Sequence, residues 1–258
     1  MEACIFCPAS KTRCTSCATP TCARHLSKQN RCCSTCIADV QESASLGRCT
    51  TEEEDEQLKA IGGDQAYVYG ELTTLGMRAL SDRLRLGTGD CFLDAGSGLG
   101  RIVFQAAREM GVVKSIGVEL AQSRHDLAVE ALGREALVCQ EKIELIHGNC
   151  IDQMLWRSRL RDVTVVFLAS LFYSDELMKG LARCLEEAAP AVRVVATLRR
   201  WEEPPTGFAE ETPPQACETS WTAPETIGGD APTEGDGTTP VHIYVRLQVS
   251  SAVMNQSK

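Results

Sequence analysis

The chain has 258 residues, enough for one catalytic domain and a small module but too few for two full-sized domains. Hydrophobic residues make up 43% and charged residues 24%, which is ordinary for a globular protein and excludes wholesale disorder. The formal net charge of −9 argues against a protein that simply coats nucleic acid. No apolar run approaches the roughly 18 residues of a membrane helix, and residues 1–10 lack the apolar core of a signal peptide.

Cysteine is concentrated in residues 1–49, which hold nine of the 14 cysteines and six Lys and Arg against three Asp and Glu. Four pairs of potential metal ligands each have two intervening residues: Cys4 and Cys7, Cys14 and Cys17, Cys22 and His25, and Cys33 and Cys36. Two thiolates spaced in this way can approach one metal from a tight turn, so the eight ligands predict two tetrahedral zinc ions. A disulfide-stapled secreted head is the weaker alternative, because no signal peptide precedes it.

The even spacing of these pairs is typical of a cross-brace, as in RING-like and B-box-like modules. One ion would bind Cys4, Cys7, Cys22 and His25, and the other would bind Cys14, Cys17, Cys33 and Cys36, with Cys32 as an alternative to Cys33. So short a segment has almost no apolar core, and metal binding would therefore supply most of its folding energy. A protein-recognition module, an E3-type adaptor and a structural cap all remain open as its function.

Residues 50–66 are predicted to be an acidic linker, because five acidic residues follow one another at 52–56. The run is interpreted as a solvated linker or a helix start, and contact with basic histone surfaces is a less favoured alternative.

The main body begins at residue 67, where short apolar runs alternate with longer amphipathic ones. The pattern predicts helices at 75–86, 101–110, 122–137 and 175–187, and strands at 91–95, 115–118, 143–147, 163–168 and 192–197. Such alternation indicates an α/β fold with a parallel sheet covered by helices on both faces.

The tail differs in composition. Residues 202–239 are rich in Pro, Gly, Thr and Glu and are predicted to be a flexible insertion, with one possible strand at 217–222. The alternation of Val241, Ile243 and Val245 predicts a last strand at 240–249. Two late strands predict an antiparallel hairpin at the edge of the sheet, within a domain that spans 67–258.

A glycine-rich loop follows the first strand of the body. Gly96, Gly98 and Gly100 let the backbone turn sharply and approach a ligand, and Asp94 stands two residues ahead of them. The GxGxG spacing differs from the GxGxxG of dinucleotide folds and suits a ligand with a cationic aminoacyl end, namely S-adenosylmethionine. Glu119 ends the next strand, where a carboxylate holds a ribose hydroxyl. An ordinary βα turn and a nicotinamide-linked enzyme are weaker alternatives.

Four other segments carry a more specific resemblance. They are Val-Tyr-Gly-Glu at 68–71, the end of the fourth strand at 165–173, Ser-Trp-Thr at 220–222 and Pro-Val-His-Ile-Tyr at 240–244. In this order they resemble the catalytic core of the disruptor-of-telomeric-silencing (DOT) family, non-SET lysine methyltransferases that modify the globular face of histone H3 in nucleosomes. The resemblance covers about residues 67–249, is nearest to short protist-type members, and leaves out the cysteine-rich head.

The resemblance implies a class I methyltransferase fold with S-adenosylmethionine as cofactor. Four residues would close over the methionine end of that cofactor: Tyr69, Gly70, Glu71 and Leu72. The loop that would line it includes Phe92, Asp94, Gly96, Ser97, Gly98, Gly100 and Arg101. Glu119 would bind the ribose, and Asn149 and Cys150 would flank the adenine, where the family usually has an acid and an aromatic residue.

The resemblance also implies a channel for the substrate lysine, lined by Tyr244 and, as we expect, by Tyr173, Phe172 and Trp221. A narrow apolar channel would lower the pKa of the lysine by desolvating its cation. Core packing is the favoured alternative for each of these residues except Tyr244.

One departure from the family lies at the end of the fourth strand. The family has two asparagines and an aromatic residue there, and this chain has Ala169-Ser170-Leu171. Ser170 is assigned to the position of the asparagine nearest the transferred methyl group. A hydroxyl can still accept a weak contact, but it is smaller than an amide and its dipole is less fixed. Catalysis would therefore be slower or lost.

The resemblance therefore predicts a nuclear histone H3 lysine methyltransferase whose zinc head docks on the nucleosome or on a partner protein, with no membrane association. Two alternatives stay open. One is a methyltransferase of a non-histone protein, and the other is a zinc-headed chromatin adaptor without turnover.

Overall fold

A computed structural model describes residues 46–221 and 238–247, together with the backbone of two short strands in the head. Thr12–Arg13 and Pro20–Thr21 pair antiparallel, with Thr12 opposite Thr21. All eight predicted zinc ligands lie outside the described residues, and the two-zinc head stays a prediction.

Seven strands form one sheet. They are β1 (Cys91–Ala95), β2 (Lys114–Glu119), β3 (Ile143–His147), β4 (Val165–Leu168), β5 (Val194–Thr197), β6 (Phe208–Cys217) and β7 (Thr239–Arg246). Their order across the sheet is β3-β2-β1-β4-β5-β7-β6. The first five strands are parallel, and β7 and β6 run antiparallel at the end of the sheet. The predicted α/β class and the antiparallel edge hairpin are confirmed.

Helices cover both faces of this sheet. They are α1 (Glu52–Gly62), α2 (Thr74–Leu84), α3 (Arg101–Glu109), α4 (Gln122–Leu132), α5 (Leu137–Gln140), α6 (Gln153–Ser158) and α7 (Asp175–Glu187). Side chains alternate between the faces along a strand, so Val165 and Phe167 of β4 join one core cluster and Val166 and Leu168 join the other. Within the described ranges, no helix has both the length and the apolar character to cross a membrane.

The predicted helices match those of the body except at two places. The segment 122–137 is not one helix, because α4 ends at Leu132 with Gly133 as its C-cap and the short α5 starts at Leu137. Helix α6 lies in a segment for which no element was predicted.

Strand β6 lies where a flexible insertion was predicted. It spans Phe208–Cys217 and contains Pro213 and Pro214, and two consecutive prolines are typical of a loop. Its ladder to β7 is irregular between Glu211 and Gln215, the stretch that holds both prolines. Because β6 is the outermost strand, one of its edges needs no partner, and proline is tolerated there. Of the predicted strand at 217–222, only Cys217 belongs to β6, and residues 222–237 lie outside the described ranges.

The acidic run at 52–56 is the first turn of helix α1, which matches the helix-start interpretation rather than a solvated linker. Thr51 and Glu54 form a capping box, and acidic side chains are favourable at a helix N-terminus. Glu54 also reaches the start of α4, where its carboxylate accepts hydrogen bonds from the backbone nitrogen and the hydroxyl of Ser123 at 2.7 and 2.8 Å. One carboxylate thus serves two helix N-termini and joins α1 to the body.

We expect Glu54→Gln to lower the free energy of unfolding by about 1 kcal/mol, because a neutral amide replaces a carboxylate that accepts bonds at two helix starts. Glu53→Gln is the matched control, since Glu53 lies exposed in the same turn. Chemical denaturation at pH 7 measures the difference, and equal stability of Glu54→Gln and the parent would contradict the role.

The difference should depend on pH. Partial burial by itself raises the pKa of Glu54, but the hydrogen bonds from Ser123 and Thr51 outweigh it and leave the pKa below its ordinary value. The stabilisation is therefore present above the ordinary glutamate pKa and is lost as the pH falls below about 4.

Candidate active site

A cavity opens at the carboxyl ends of the parallel strands, where open α/β sheets hold their ligands. It contains about 860 Å³ of space between protein atoms, including its mouth, within the range of cofactor pockets. The strands contribute residues from the ends of β1 to β4, and α1 and the segment 66–71 cover the cavity from above. The principal lining residues are Leu58, Ile61, Tyr69, Gly70, Glu71, Asp94, Gly96, Ser97, Gly98, Glu119, Arg124, Asn149, Cys150, Ala169 and Tyr173.

The glycine-rich loop folds as predicted for a close approach to a ligand. Gly96 and Gly98 have φ angles of 95° and 52°, in the left-handed region that favours glycine. A Cβ atom at Gly98 would lie 2.5 Å from the ring of Tyr69, so only glycine fits between the loop and this ring. The Gly98 amide donates a 2.7 Å hydrogen bond to Glu119, which connects the loop to the end of β2.

Glu119 is buried and its two oxygens are held in place by backbone donors. Oε2 accepts from Gly98 and Oε1 accepts from Ala121 at 2.9 Å. A carboxylate has about four acceptor sites, so capacity remains for a ribose hydroxyl. The predicted ribose contact is therefore sterically and chemically open.

Asp94 is the most unusual group of the cavity. Its side chain is only 3% exposed, and its Oδ1 atom is a buried oxygen with no hydrogen-bond partner in the described structure. Burial first, and then the nearby carboxylates of Glu119 and Glu71, raise the pKa of Asp94 well above its usual range. An unpaired buried carboxyl is costly, and a cationic group supplied by a ligand would compensate it. The aminoacyl ammonium of S-adenosylmethionine fits this position.

The segment above the loop is held by polar contacts. The Tyr69 hydroxyl donates to Glu71 at 2.7 Å, and Nε of Arg101 lies 3.3 Å from the other oxygen of Glu71. Arg101 itself is not among the cavity-lining residues, although it was predicted to line the cofactor. It contacts the cavity through its ion pair with Glu71.

Eleven predicted site residues line the cavity together: Tyr69, Gly70, Glu71, Asp94, Gly96, Ser97, Gly98, Glu119, Asn149, Cys150 and Tyr173. Leu72, Phe92 and Gly100 do not line it. Leu72 and Phe92 are buried in the core cluster under α2 and α3. Phe92 is on the same face of β1 as Asp94, but two residues closer to the start of the strand.

Two side chains that could serve as bases are held protonated. Burial, followed by the charges of Glu119 and Cys184, raises the pKa of the Cys150 thiol to about 12. Burial also raises the pKa of Tyr173 well above its usual range, and its hydroxyl donates to the carbonyl of Ala95 at 3.1 Å. Neither group is prepared to take a proton from a substrate.

The assignment of Ser170 to the cavity is wrong. Ser170 is fully buried, and its hydroxyl accepts a 3.1 Å hydrogen bond from the backbone nitrogen of Arg199. Its neighbour Ala169 lines the cavity instead. The wall at this point therefore presents a methyl group and no polar side chain.

The channel role predicted for Tyr244 is also contradicted. Tyr244 is completely buried in the core cluster, and its ring packs edge-on against the Trp201 ring, with 5.0 Å between the ring centres. Its hydroxyl accepts a 2.9 Å hydrogen bond from the backbone nitrogen of Trp201. Successive residues of a strand point to opposite faces, and Ile243 joins the cluster that also contacts Ala169. The motif contains a tyrosine, but its ring and hydroxyl are engaged by Trp201 in the core, and neither Tyr244 nor Ile243 lines the cavity.

The other aromatic residues of the predicted channel are not in the core. Phe172 is 41% exposed and Trp221 is 37% exposed, and Tyr173 lines the cavity. A Cβ atom at Gly70 would lie 2.5 Å from the ring of Trp221, which therefore packs on the segment that covers the cavity.

Sequence reasoning missed two contributions to the cavity. Leu58, Ile61 and Gly62 of α1 line it. Their spacing of three and four residues places them on one face of a helix, so the sequence could have predicted an apolar face here. Arg124 lines it from the first turn of α4, and no motif distinguished this arginine from a surface one.

The fold and the site together define a class of protein. A parallel sheet extended by the antiparallel β7 and β6, with a glycine loop after β1 and an acid at the end of β2, is a class I methyltransferase. The model of the family described as "Histone methylation protein DOT1" matches residues 48–203, more than half of the chain. The chain belongs to the DOT1 family.

Two curated relatives carry the name "Histone-lysine N-methyltransferase, H3 lysine-79 specific". The protein of Caenorhabditis elegans is 26% identical over 136 residues, which is 50% of this chain and 14% of that protein. The protein of Gibberella zeae is 28% identical over 148 residues, which is 55% of this chain and 30% of that protein. This chain thus matches less than a third of either relative's length. The solved structure of TrmN from Thermus thermophilus is similar at 20% identity and a TM-score of 0.47, over 66% of this chain and 48% of that one.

We expect Asp94→Asn to raise the melting temperature of the ligand-free protein at pH 7 by roughly 3 °C, the effect of about 1 kcal/mol in a domain of this size. A carboxyl whose pKa is raised on folding destabilises the protein as the pH rises from the ordinary aspartate value to the raised one, and the amide removes that cost. The same variant should lose at least about tenfold in affinity for S-adenosylhomocysteine, because it cannot pair with the ammonium group.

Differential scanning fluorimetry and calorimetric titration measure the two effects. Asp82→Asn, at an exposed position of α2, is the matched control and should change neither. A destabilised Asp94→Asn with unchanged affinity would exclude the ligand role of Asp94.

Proposed function

We propose that this chain is an S-adenosylmethionine-dependent methyltransferase that modifies a lysine of histone H3 in nucleosomes. The observation that carries the proposal is the buried, unpaired carboxyl of Asp94 beside a glycine loop in a chain of the DOT1 family. The names of the two curated relatives support histone H3 as the substrate.

The residues of the cavity divide the binding of the donor among them. S-adenosylmethionine supplies a reactive methyl group on a positively charged sulfur when it is bound. Asp94 would pair with the ammonium group, and Glu119 would hold the ribose hydroxyls. Asn149 and Cys150 would flank the adenine. With Glu71 included, three carboxylates line one cavity, so the site favours a cationic ligand.

Methyl transfer requires the lysine to be neutral, although its ordinary pKa of about 10.4 keeps it protonated at pH 7. Phe167 and Ala169 provide an apolar wall, and Cys150 and Tyr173 stay protonated. Desolvation of the ammonium group, rather than a general base, would therefore lower the pKa of the lysine. The remaining task of the protein is alignment and exclusion of water.

The methyl group of Ala169 supports a second candidate function, that of a chromatin adaptor without turnover. The family has polar amide side chains at the end of the fourth strand, and the corresponding wall of this cavity is apolar. A chain that binds the donor without turnover would act as a chromatin adaptor.

Docking on the nucleosome is assigned to the cysteine-rich head. Residues 1–49 carry a net charge of +3, and the rest of the chain carries −12. Phosphate contacts require basic groups, so the head is the segment suited to nucleosomal DNA or to a partner protein. A chromatin substrate places the proposed function in the nucleus.

The activity is tested with radiolabelled S-adenosylmethionine and either intact nucleosomes or free histones. We expect label on H3 of intact nucleosomes and none with Asp94→Asn, which serves as the binding-deficient control. Label on another protein of a nuclear extract would favour a non-histone substrate. Absence of label together with normal binding of S-adenosylhomocysteine would favour the adaptor.

The head is tested through its metal. Eight ligands predict two zinc ions per chain in mass spectrometry of the purified protein. The double variant Cys4→Ser, Cys7→Ser should lose one ion and weaken nucleosome binding, and Cys49→Ser should change neither, because Cys49 is exposed and outside the predicted ligand set. Full zinc content in the double variant would exclude the proposed ligands.

A further inference from the structure

Arg124 is a buried arginine that the proposed mechanism leaves without a role. It is 5% exposed, lies in the first turn of α4, and is the one cationic side chain among the described residues that line the cavity. Its Nε donates to the carbonyl of Gly47 at 2.8 Å, and its second terminal nitrogen donates to the carbonyl of Tyr67 at 2.6 Å. Its guanidinium carbon lies 5.3 Å from the centre of the Tyr69 ring.

These three contacts bind Arg124 to both flanks of α1. Gly47 precedes the helix, and Tyr67 and Tyr69 follow it. The neighbouring Ser123 also contacts this segment, because its backbone nitrogen and its hydroxyl both donate hydrogen bonds to Glu54 of α1. The first turn of α4 therefore holds residues 46–71, which we call the strap, at four residues: Gly47, Glu54, Tyr67 and Tyr69.

The ring of Tyr69 lies between two glycines. A Cβ atom would come within 2.3 Å of this ring at Gly47 and within 2.5 Å at Gly98. Gly47 belongs to the strap and Gly98 to the glycine-rich loop, so the ring connects the two by direct packing. A shift of the strap would therefore also move the Tyr69 ring against the glycine-rich loop and change the shape of the cavity.

Burying a guanidinium group costs free energy that two carbonyl contacts only partly offset. A lysine at this place would reach one carbonyl at a time and could not lie flat beside an aromatic ring. The guanidinium group of arginine contacts two carbonyls and an aromatic ring at the same time. It can therefore fix the positions of Gly47, Tyr67 and Tyr69 relative to one another.

We propose that Arg124 is a positioning residue that keeps the strap closed over the donor and thereby sets donor affinity. It acts through the strap residues that it contacts, namely Gly47, Tyr67 and Tyr69. Because Gly47 belongs both to the cysteine-rich head, residues 1–49, and to the strap, displacement of the chain at this overlap changes donor binding. The identity of the donor rests on the proposed function.

The test compares four variants of the full chain. Arg124→Gln removes the cation, Arg124→Lys keeps the charge without the planar group, and Gly47→Ala pushes on the Tyr69 ring. Arg108→Gln is the control, because Arg108 makes an exposed ion pair with Glu135 outside the cavity. Deuterium uptake of the strap is measured without ligand, and the dissociation constant of S-adenosylhomocysteine and the KM and kcat for the donor are measured in parallel.

We expect Arg124→Gln to weaken S-adenosylhomocysteine binding by at least about tenfold, the effect of losing charge-assisted hydrogen bonds. Gly47→Ala should weaken it in the same direction, and Arg124→Lys should give an intermediate value. Deuterium uptake should rise within residues 46–71 and stay unchanged in β1 and β4. KM for the donor should rise while kcat at saturating donor changes by less than about twofold, as a loss of binding requires.

Unchanged affinity in Arg124→Gln, or a uniform rise of uptake over the whole body, would overturn the positioning role. A lower kcat with an unchanged dissociation constant would overturn it too. Failure of the parent protein to bind S-adenosylhomocysteine would refute the proposed donor and the affinity claim with it. That failure is recognisable, because the ligand-free uptake of the strap is measured independently.

Discussion

The cavity is organised around the buried carboxyl group of Asp94, whose Oδ1 atom has no hydrogen-bond partner among the described residues. Asp94 is the penultimate residue of β1, and the carboxylates of Glu119 and Glu71 are near enough to raise its pKa further. The arrangement costs folding free energy and is useful only when a cation enters. The glycine loop, the end of β2 and the strap all surround this one group.

The cover of the cavity comes from the segment before the sheet. Helix α1 supplies apolar residues, and Tyr69 and Glu71 supply polar contacts, so a stretch first interpreted as a linker forms part of the donor site. Its attachment to α4 uses one carboxylate, Glu54, and one guanidinium, Arg124. The strap, residues 46–71, shares residues 46–49 with the cysteine-rich head, so the head is directly connected to the cover of the cavity.

The acceptor side of the site is less polar than the sequence indicated. Ser170 faces the backbone of Arg199 and Tyr244 faces Trp201, so neither hydroxyl reaches the cavity. For Ser170 the reason is that neighbouring residues of an extended chain point in opposite directions, and Ala169 is the one that faces the cavity. For Tyr244 the reason is the packing of its ring and hydroxyl against Trp201, a contact between distant segments. Ala169 makes this part of the cavity wall apolar, which agrees with desolvation as the step that would neutralise the lysine in the proposed function.

The sequence alone determined the α/β class, five parallel strands within a few residues, the glycine loop and most of the residues that line the cavity, because strand burial, glycine turns and acids at strand ends are local patterns. It predicted a second late strand but placed it at 217–222 and not at Phe208–Cys217, because the prolines of β6 are typical of a loop and are tolerated only where the sheet ends. Nor did it distinguish Arg124 from a surface arginine. Edge position, register and the burial of one charge are decided by contacts between distant segments, and these exist only in the tertiary structure.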